Sequence, residues 1–339
     1  MKRKVLCVVM ALAMLLLSTA CGAGSPVGGE QPGGKKDWKI AYIGGATENE
    51  WYVQTEKGVK EWAEETGINA YYKGTAANDP AQQAQLISDA AAQGVDAILF
   101  VPDSPEALEP ALQSARDKGV LVIGTEAVDF SARDYDVEPC TPSHYGEFIM
   151  QNLAELMGEE GKYVCMVGTL TTTAQNAWAD AGIAYQKKNY PNMECIEERL
   201  ESHQNVETAY ERTKEILKKY PDIKGIFCTT SLDPPGATKA IKEMGLQGKV
   251  FATGTCTMHT AEEYIKDGSL ESITFWDPGL TAKVMCNLAV EILENGKESV
   301  KDGMDLGYEG YKSMKLEGDV LYGDALVKGT KDNFDQYPF

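Results

Sequence analysis

The chain has 339 residues, with 51 Asp and Glu against 32 Lys and Arg and a formal charge of -19. Such acidity repels a phosphate backbone and argues against nucleic-acid binding. About 300 residues follow the N-terminal segment, enough for one large or two medium domains with real cores, and none of them forms a second apolar run long enough to span a bilayer.

The N-terminus reads as an export signal. Lys2, Arg3 and Lys4 form a basic n-region, residues 5–17 an apolar h-region, and Ser18-Thr19-Ala20 the small residues beside a cleavage site. Cys21 directly after them marks a lipoprotein, acylated on its sulfur, so residues 1–20 are expected to be removed. Residues 21–37, rich in Gly, Pro and Ser, read as a flexible tether. The later cysteines, at 140, 165, 195, 228, 256 and 286, show no CxxC pair, and mostly unbridged thiols are expected.

Strand and helix then alternate in two series. The first reads as strands at 38–44, 68–72, 96–101 and 120–124 with helices at 51–66, 80–93 and 105–118. A break is expected around 137–142. The second reads as helices at 151–157, 175–189, 206–220, 235–244 and 261–267 with strands at 162–168, 194–199, 223–229, 250–253 and 270–275. Continuous apolar strands separated by amphipathic helices specify a parallel sheet covered on both faces. The expected class is therefore α/β, with two doubly wound parallel-sheet lobes joined by a hinge. Ligands in such sheets bind beyond the carboxyl ends of the strands.

Those strand-end loops hold little that could catalyse a reaction. His144, His203 and His259 are far apart, and no GxSxG, HExxH or P-loop motif is present, so neither an enzyme nor a cofactor or metal is expected. What the loops carry is aromatic and polar: Asn49, Trp51 and Tyr52; Glu126; Gln175, Asn176 and Trp178; Thr230, Ser231 and Asp233; Trp276 and Asp277. Aromatic plates beside amides and carboxylates suit a small polyol, whose C–H face stacks while its hydroxyls find fixed acceptors. Each has a structural alternative. Trp51, Tyr52 and Trp178 could pack as core, Glu126 could be an exposed loop carboxylate, and Gln175, Asn176, Asp233 and Asp277 could cap the helices that follow.

With these residues in place the chain resembles the type I periplasmic binding proteins, the ribose-binding-like solute receptors of ABC importers, over residues 38–339. Asn49-Glu50-Trp51-Tyr52 stands where that group carries an Asn and paired aromatics. Within it, Ala174-Gln175-Asn176-Ala177-Trp178 is similar to the DQNQW stretch of autoinducer-2 and rhamnose receptors, Trp276-Asp277 to their WD pair, and residues 331–339 to their KDNIDKYDF ending. Departures fall on the ligand: Gly45 replaces a lysine, Glu126 an aspartate, Ala174 the first residue of the DQ pair, and Thr229 and Ser231 a Pro and an Ala. The resemblance implies a monomeric, lipid-anchored receptor that hands a small sugar or sugar-like polyol to an ABC permease. Autoinducer-2 binding, or sensing through a membrane kinase or chemoreceptor, is the alternative. It also implies an N-terminal lobe of residues 38–140 and 277–305 and a C-terminal lobe of 141–276 and 306–339, with Glu126 and Asp277 fixing ligand hydroxyls.

Overall fold

A computed structural model describes residues 37–339 apart from 78, 103, 197 and 198. The expected signal and tether, with the expected lipidation site Cys21, lie outside the described residues. The first series comprises β1 (Lys39–Ala46), α1 (Glu50–Thr66), β2 (Asn69–Thr75), α2 (Pro80–Ala92), β3 (Ala97–Phe100), α3 (Pro105–Asp117), β4 (Leu121–Gly124) and β5 (Tyr135–Glu138). The second comprises α4 (Pro142–Met157), β6 (Gly161–Val167), α5 (Thr173–Asn189), β7 (Met193–Cys195), β8 (Leu200–Glu201), α6 (Val206–Lys219), β9 (Ile223–Cys228), α7 (Asp233–Glu243), β10 (Phe251–Gly254), α8 (Glu262–Asp267) and β11 (Ile273–Phe275). The chain ends with α9 (Pro278–Asn295), β12 (Lys315–Glu317), β13 (Val320–Tyr322) and β14 (Val327–Gly329).

Seven strands form the first sheet in the order β12-β13-β5-β4-β3-β1-β2, parallel except where β12 turns back on β13. The second sheet runs β10-β9-β6-β7, with β8 also on β6, and β11 pairs with β14 beside it. Ile40 to Ile43 of β1 and all of β3 are buried, as strands covered on both faces must be. α9 leaves the second series and packs back into the first core through Ala282, Met285, Leu288 and Ile292. There the Trp62 indole N–H of α1 donates to Asn287 Oδ1 at 2.7 Å. Three segments therefore link the two sheets, at 139–141, 276–277 and 323–326.

Two differences from the sequence reading have clear causes. Helix α4 begins at Pro142, nine residues before the expected start, because Thr141 caps it and Pro142 occupies the first turn. Gly146 interrupts its pattern for a packing reason: a Cβ there would lie 2.1 Å from the Trp178 carbonyl oxygen of α5. The segment 306–339 is also divided, rather than lying wholly with the second lobe. β13 pairs with β5, and Leu306, Tyr311, Met314 and Leu321 are buried in the first core. Only the tail from β14 onward, with Phe334 and Phe339, packs with the second.

Candidate functional site

The carboxyl ends of the two sheets face a small cavity of about 60 Å³, lined by Asn49, Trp51, Tyr52 and Glu126 from the first series. The second series contributes Gln175, Trp178, Gln204, Thr229, Thr230, Ser231, Thr255 and Trp276. Each side chain is placed by local rules. Asn49 caps α1, accepting from the Trp51 N–H at 3.0 Å, which sets Trp51 and Tyr52 on the first turn. Trp276 directly follows β11 with 3 % of its surface exposed, edge-on to Trp51 at 5.0 Å, Tyr145 at 5.0 Å and Trp178 at 5.9 Å. Edge-to-face geometry fixes the four rings against one another, leaving a narrow space rather than parallel plates.

The second wall is organised by bonds directed away from the cavity. Gln175 Oε1 accepts from the Gly168 N–H at 2.8 Å, so its amide NH2 remains as the donor at the cavity. Thr255 Oγ1 is bonded to the Tyr145 hydroxyl at 2.8 Å, and Thr229 Oγ1 donates to the Met166 carbonyl at 3.1 Å. Asp233 lies underneath, fully buried, accepting from the Thr229 and Thr230 N–H groups at 3.2 and 2.9 Å and from the Thr230 hydroxyl at 2.6 Å. Burial raises its pKa, while the Ser202 side chain, together with the Thr230 hydroxyl and the Thr229 and Thr230 N–H groups, opposes the rise.

Glu126 is the only carboxylate at the cavity among the described residues, and its lining includes no lysine or arginine. The residue follows β4 with φ +55°, a left-handed conformation that costs a non-glycine residue roughly 1–2 kcal/mol and here turns the carboxyl toward the cavity. Burial, reinforced by the neighbouring Asp136 carboxylate, raises its pKa to about 7. Among the described residues no group of side chains could hold a metal ion.

A family model described as periplasmic binding protein domain matches residues 40–298. The chain belongs to this family. Like the family it is a binding protein, not an enzyme. Among curated proteins this binding protein is 26% identical over 308 residues to the ribose import binding protein RbsB of Bacillus subtilis, covering 87% of this chain and 95% of that one. Among solved structures, LsrB from Clostridium saccharobutylicum in complex with AI-2 superposes with a TM-score of 0.79 at 26% identity, over 89% of this chain and 100% of that chain. A solute binding protein from Clostridium phytofermentas with bound L-rhamnose gives a TM-score of 0.78 at 22% identity, over 89% and 98%, and shares the fold.

Within this binding protein, nine of the residues expected at the site do line the cavity, and three do not. Asn176 is turned to its own helix end: its amide donates to the Thr169 and Thr172 carbonyls at 2.9 Å each, and its oxygen accepts from Arg199 at 2.7 Å. Asp233 supports Thr229 and Thr230 from below. Asp277 is the N-cap of α9, its Oδ1 accepting from the Gly279 N–H at 2.8 Å, the Leu280 N–H at 3.1 Å and Gln54 Nε2 at 3.0 Å, because the helix opened by Pro278 leaves those donors otherwise unmet. Sequence reasoning missed Gln204 and Thr255 as lining residues, and it named Thr229 only as standing where the resembled receptors carry a proline. Thr229 and Thr255 directly follow β9 and β10, so applying the strand-end rule to every strand would have found them. Gln204 sits at φ +49° beside His203 at φ +53°, a turn that no nearby glycine signals.

Proposed function

We propose that this protein is an extracytoplasmic receptor, tethered through a lipid on Cys21, that binds a small neutral sugar or sugar-like polyol for an ABC importer. The single observation carrying this reading is the chemistry of the lining: aromatic rings from both series, amides and hydroxyls, one carboxylate, and no cation to hold an anionic ligand. The likeness to RbsB and to LsrB supports a sugar or sugar-like molecule. The three linking segments suit a hinge, closure of which would bury the ligand and present a surface to a permease.

Autoinducer-2 is the second reading, supported by the likeness to LsrB. Against it stands Gly45, where the resembled receptors carry a lysine. A Cβ at Gly45 would meet the Tyr52 ring at 2.6 Å, so the tyrosine fills the space through which such a lysine would leave the backbone. Thermal-shift screening of the mature chain against pentoses, hexoses, deoxyhexoses, xylitol and autoinducer-2 tests both readings, because a ligand that binds only the folded state raises its stability by mass action. A neutral sugar should raise the melting temperature, and Trp51→Ala should weaken its binding by about one to two decades if the ring contributes on the order of 1 to 3 kcal/mol. A shift with autoinducer-2 alone would decide for the second reading, and no shift with any compound would remove both.

A further inference from the structure

The segment that carries Gln204 is strained. Between β8 and α6 the chain turns through His203 and Gln204, both with left-handed backbone, at φ +53° and +49°. A Cβ crowds the following carbonyl oxygen in that region, so two such residues in succession without a glycine are costly. Bonds on either side hold the turn. The Ser202 and His203 N–H groups donate to the Val167 and Gly168 carbonyls at 2.9 and 2.8 Å, and the Gln204 N–H donates to Ser202 Oγ at 3.2 Å. Asn205 then caps α6, its Oδ1 accepting from the Thr208 N–H at 2.9 Å.

What the strain achieves is the position of one side chain. His203 is exposed and takes no part in the cavity, whereas Gln204 is half-buried and lines it. The Gln204 stem crosses the face of Gly168, where a Cβ would lie 3.1 Å from Gln204 Cγ, 2.7 Å from Gln175 Oε1 and 3.3 Å from Thr230 Cγ2. The missing side chain at 168 therefore lets Gln204, Gln175 and Thr230 share one corner of the cavity.

Among the described residues three amides line the cavity, and they are not equivalent. Asn49 Oδ1 accepts from the Trp51 N–H and Gln175 Oε1 from the Gly168 N–H, so each faces a ligand as a donor alone. Beside them, the Thr229 and Thr230 hydroxyl protons are spent on the Met166 carbonyl and on Asp233. The Gln204 amide makes no hydrogen bond to any described residue, which leaves both its oxygen and its NH2 for a ligand. An uncommitted amide matches two neighbouring hydroxyls, one donating to its oxygen while the other accepts from its nitrogen.

We propose that Gln204 is a specificity-determining residue that grips a vicinal diol of the ligand, and that the left-handed turn holds its amide in the cavity at a cost in stability. The inference rests on the sugar-binding reading and names the ligand feature which that reading leaves open.

Calorimetry and thermal unfolding of the mature chain test the contact, with D-ribose, or whichever neutral sugar gives the largest thermal shift, and its monodeoxy analogues. Gln204→Ala should weaken sugar binding about tenfold. The parent chain should bind an analogue that lacks a gripped hydroxyl about tenfold more weakly than the sugar, and in Gln204→Ala that difference should shrink to about threefold or less, because the same bond is lost in both comparisons. Gln204→Gly should lose affinity equally while its ligand-free melting temperature rises by about 2 °C, since glycine takes the left-handed conformation without the Cβ penalty. His203→Gly should show a similar rise and keep its affinity. Affinity that survives Gln204→Ala, or a deoxy difference that the substitution leaves intact for every analogue, overturns the contact and leaves the sugar reading standing. So does a Gln204→Gly protein that loses stability together with affinity, or a His203→Gly protein that loses affinity as well, because Gln204 would then act only through the turn. Binding of no sugar to the parent chain removes the sugar reading, and the contact with it.

Discussion

The two walls of the cavity are built differently. On the first-series wall Asn49, Trp51, Tyr52 and Glu126 are each only half-buried. On the second, Gln175, Trp178, Thr229, Thr230, Thr255 and Trp276 are buried, and the polar ones are bonded into the backbone or to one another. Charge follows the same division. The lining carboxylate sits on the less buried wall, whereas the second wall's carboxylate, Asp233, is held below the surface by donors from Ser202, Thr229 and Thr230. A buried charge persists only where donors surround it, so the pre-built wall presents neutral groups. The contrast shows why strand-end position alone does not make an acidic residue a ligand contact.

Substitutions can break this contrast, and the largest effect is expected on the buried wall. Trp276→Ala removes a ring packed against three others and should destabilise the protein by about 3–5 kcal/mol, read from the urea midpoint, whatever it does to affinity. A loss well below that range would mean that the ring is held less firmly than its burial implies. Asp233→Ala strands two backbone N–H groups and the Thr230 hydroxyl, so a loss of about 3 kcal/mol is expected together with weaker ligand binding, since Thr229 and Thr230 would lose their support. Full affinity in a destabilised Asp233→Ala protein would show that this support does not reach the ligand. Asp277→Ala should have the smallest effect, about 1 kcal/mol from loss of an N-cap, with affinity close to that of the parent chain. A tenfold or greater loss of affinity there would return Asp277 to the site.

Much of the fold was legible because it is written in local periodicity. Gly67, in the left-handed region at φ +70°, ends α1 where the sequence reading placed its stop, and Asp79 and Asn205 cap the starts of α2 and α6. The short final strands were less visible. β12 and β13 span three residues each, flank a turn at Gly318 with φ +65°, and are joined to the first sheet by a pairing with β5 that lies far away in sequence. At the cavity, the expected aromatics Trp51, Tyr52, Trp178 and Trp276 line the space, whereas Asn176, Asp233 and Asp277, of similar polar character to the lining groups, turn their oxygens elsewhere.

The sequence by itself determined the alternation of buried strands and amphipathic helices, the acidic charge and the aromatic, amide and carboxylate character of the strand-end loops, because each depends on residues near one another in the chain. Only the tertiary structure decided which carboxylates reach the cavity and which cap a helix. It alone sent residues 306–322 to the first sheet. Hydrogen-bond direction, burial and electrostatic neighbourhood are set by contacts between distant segments, and no local pattern encodes them.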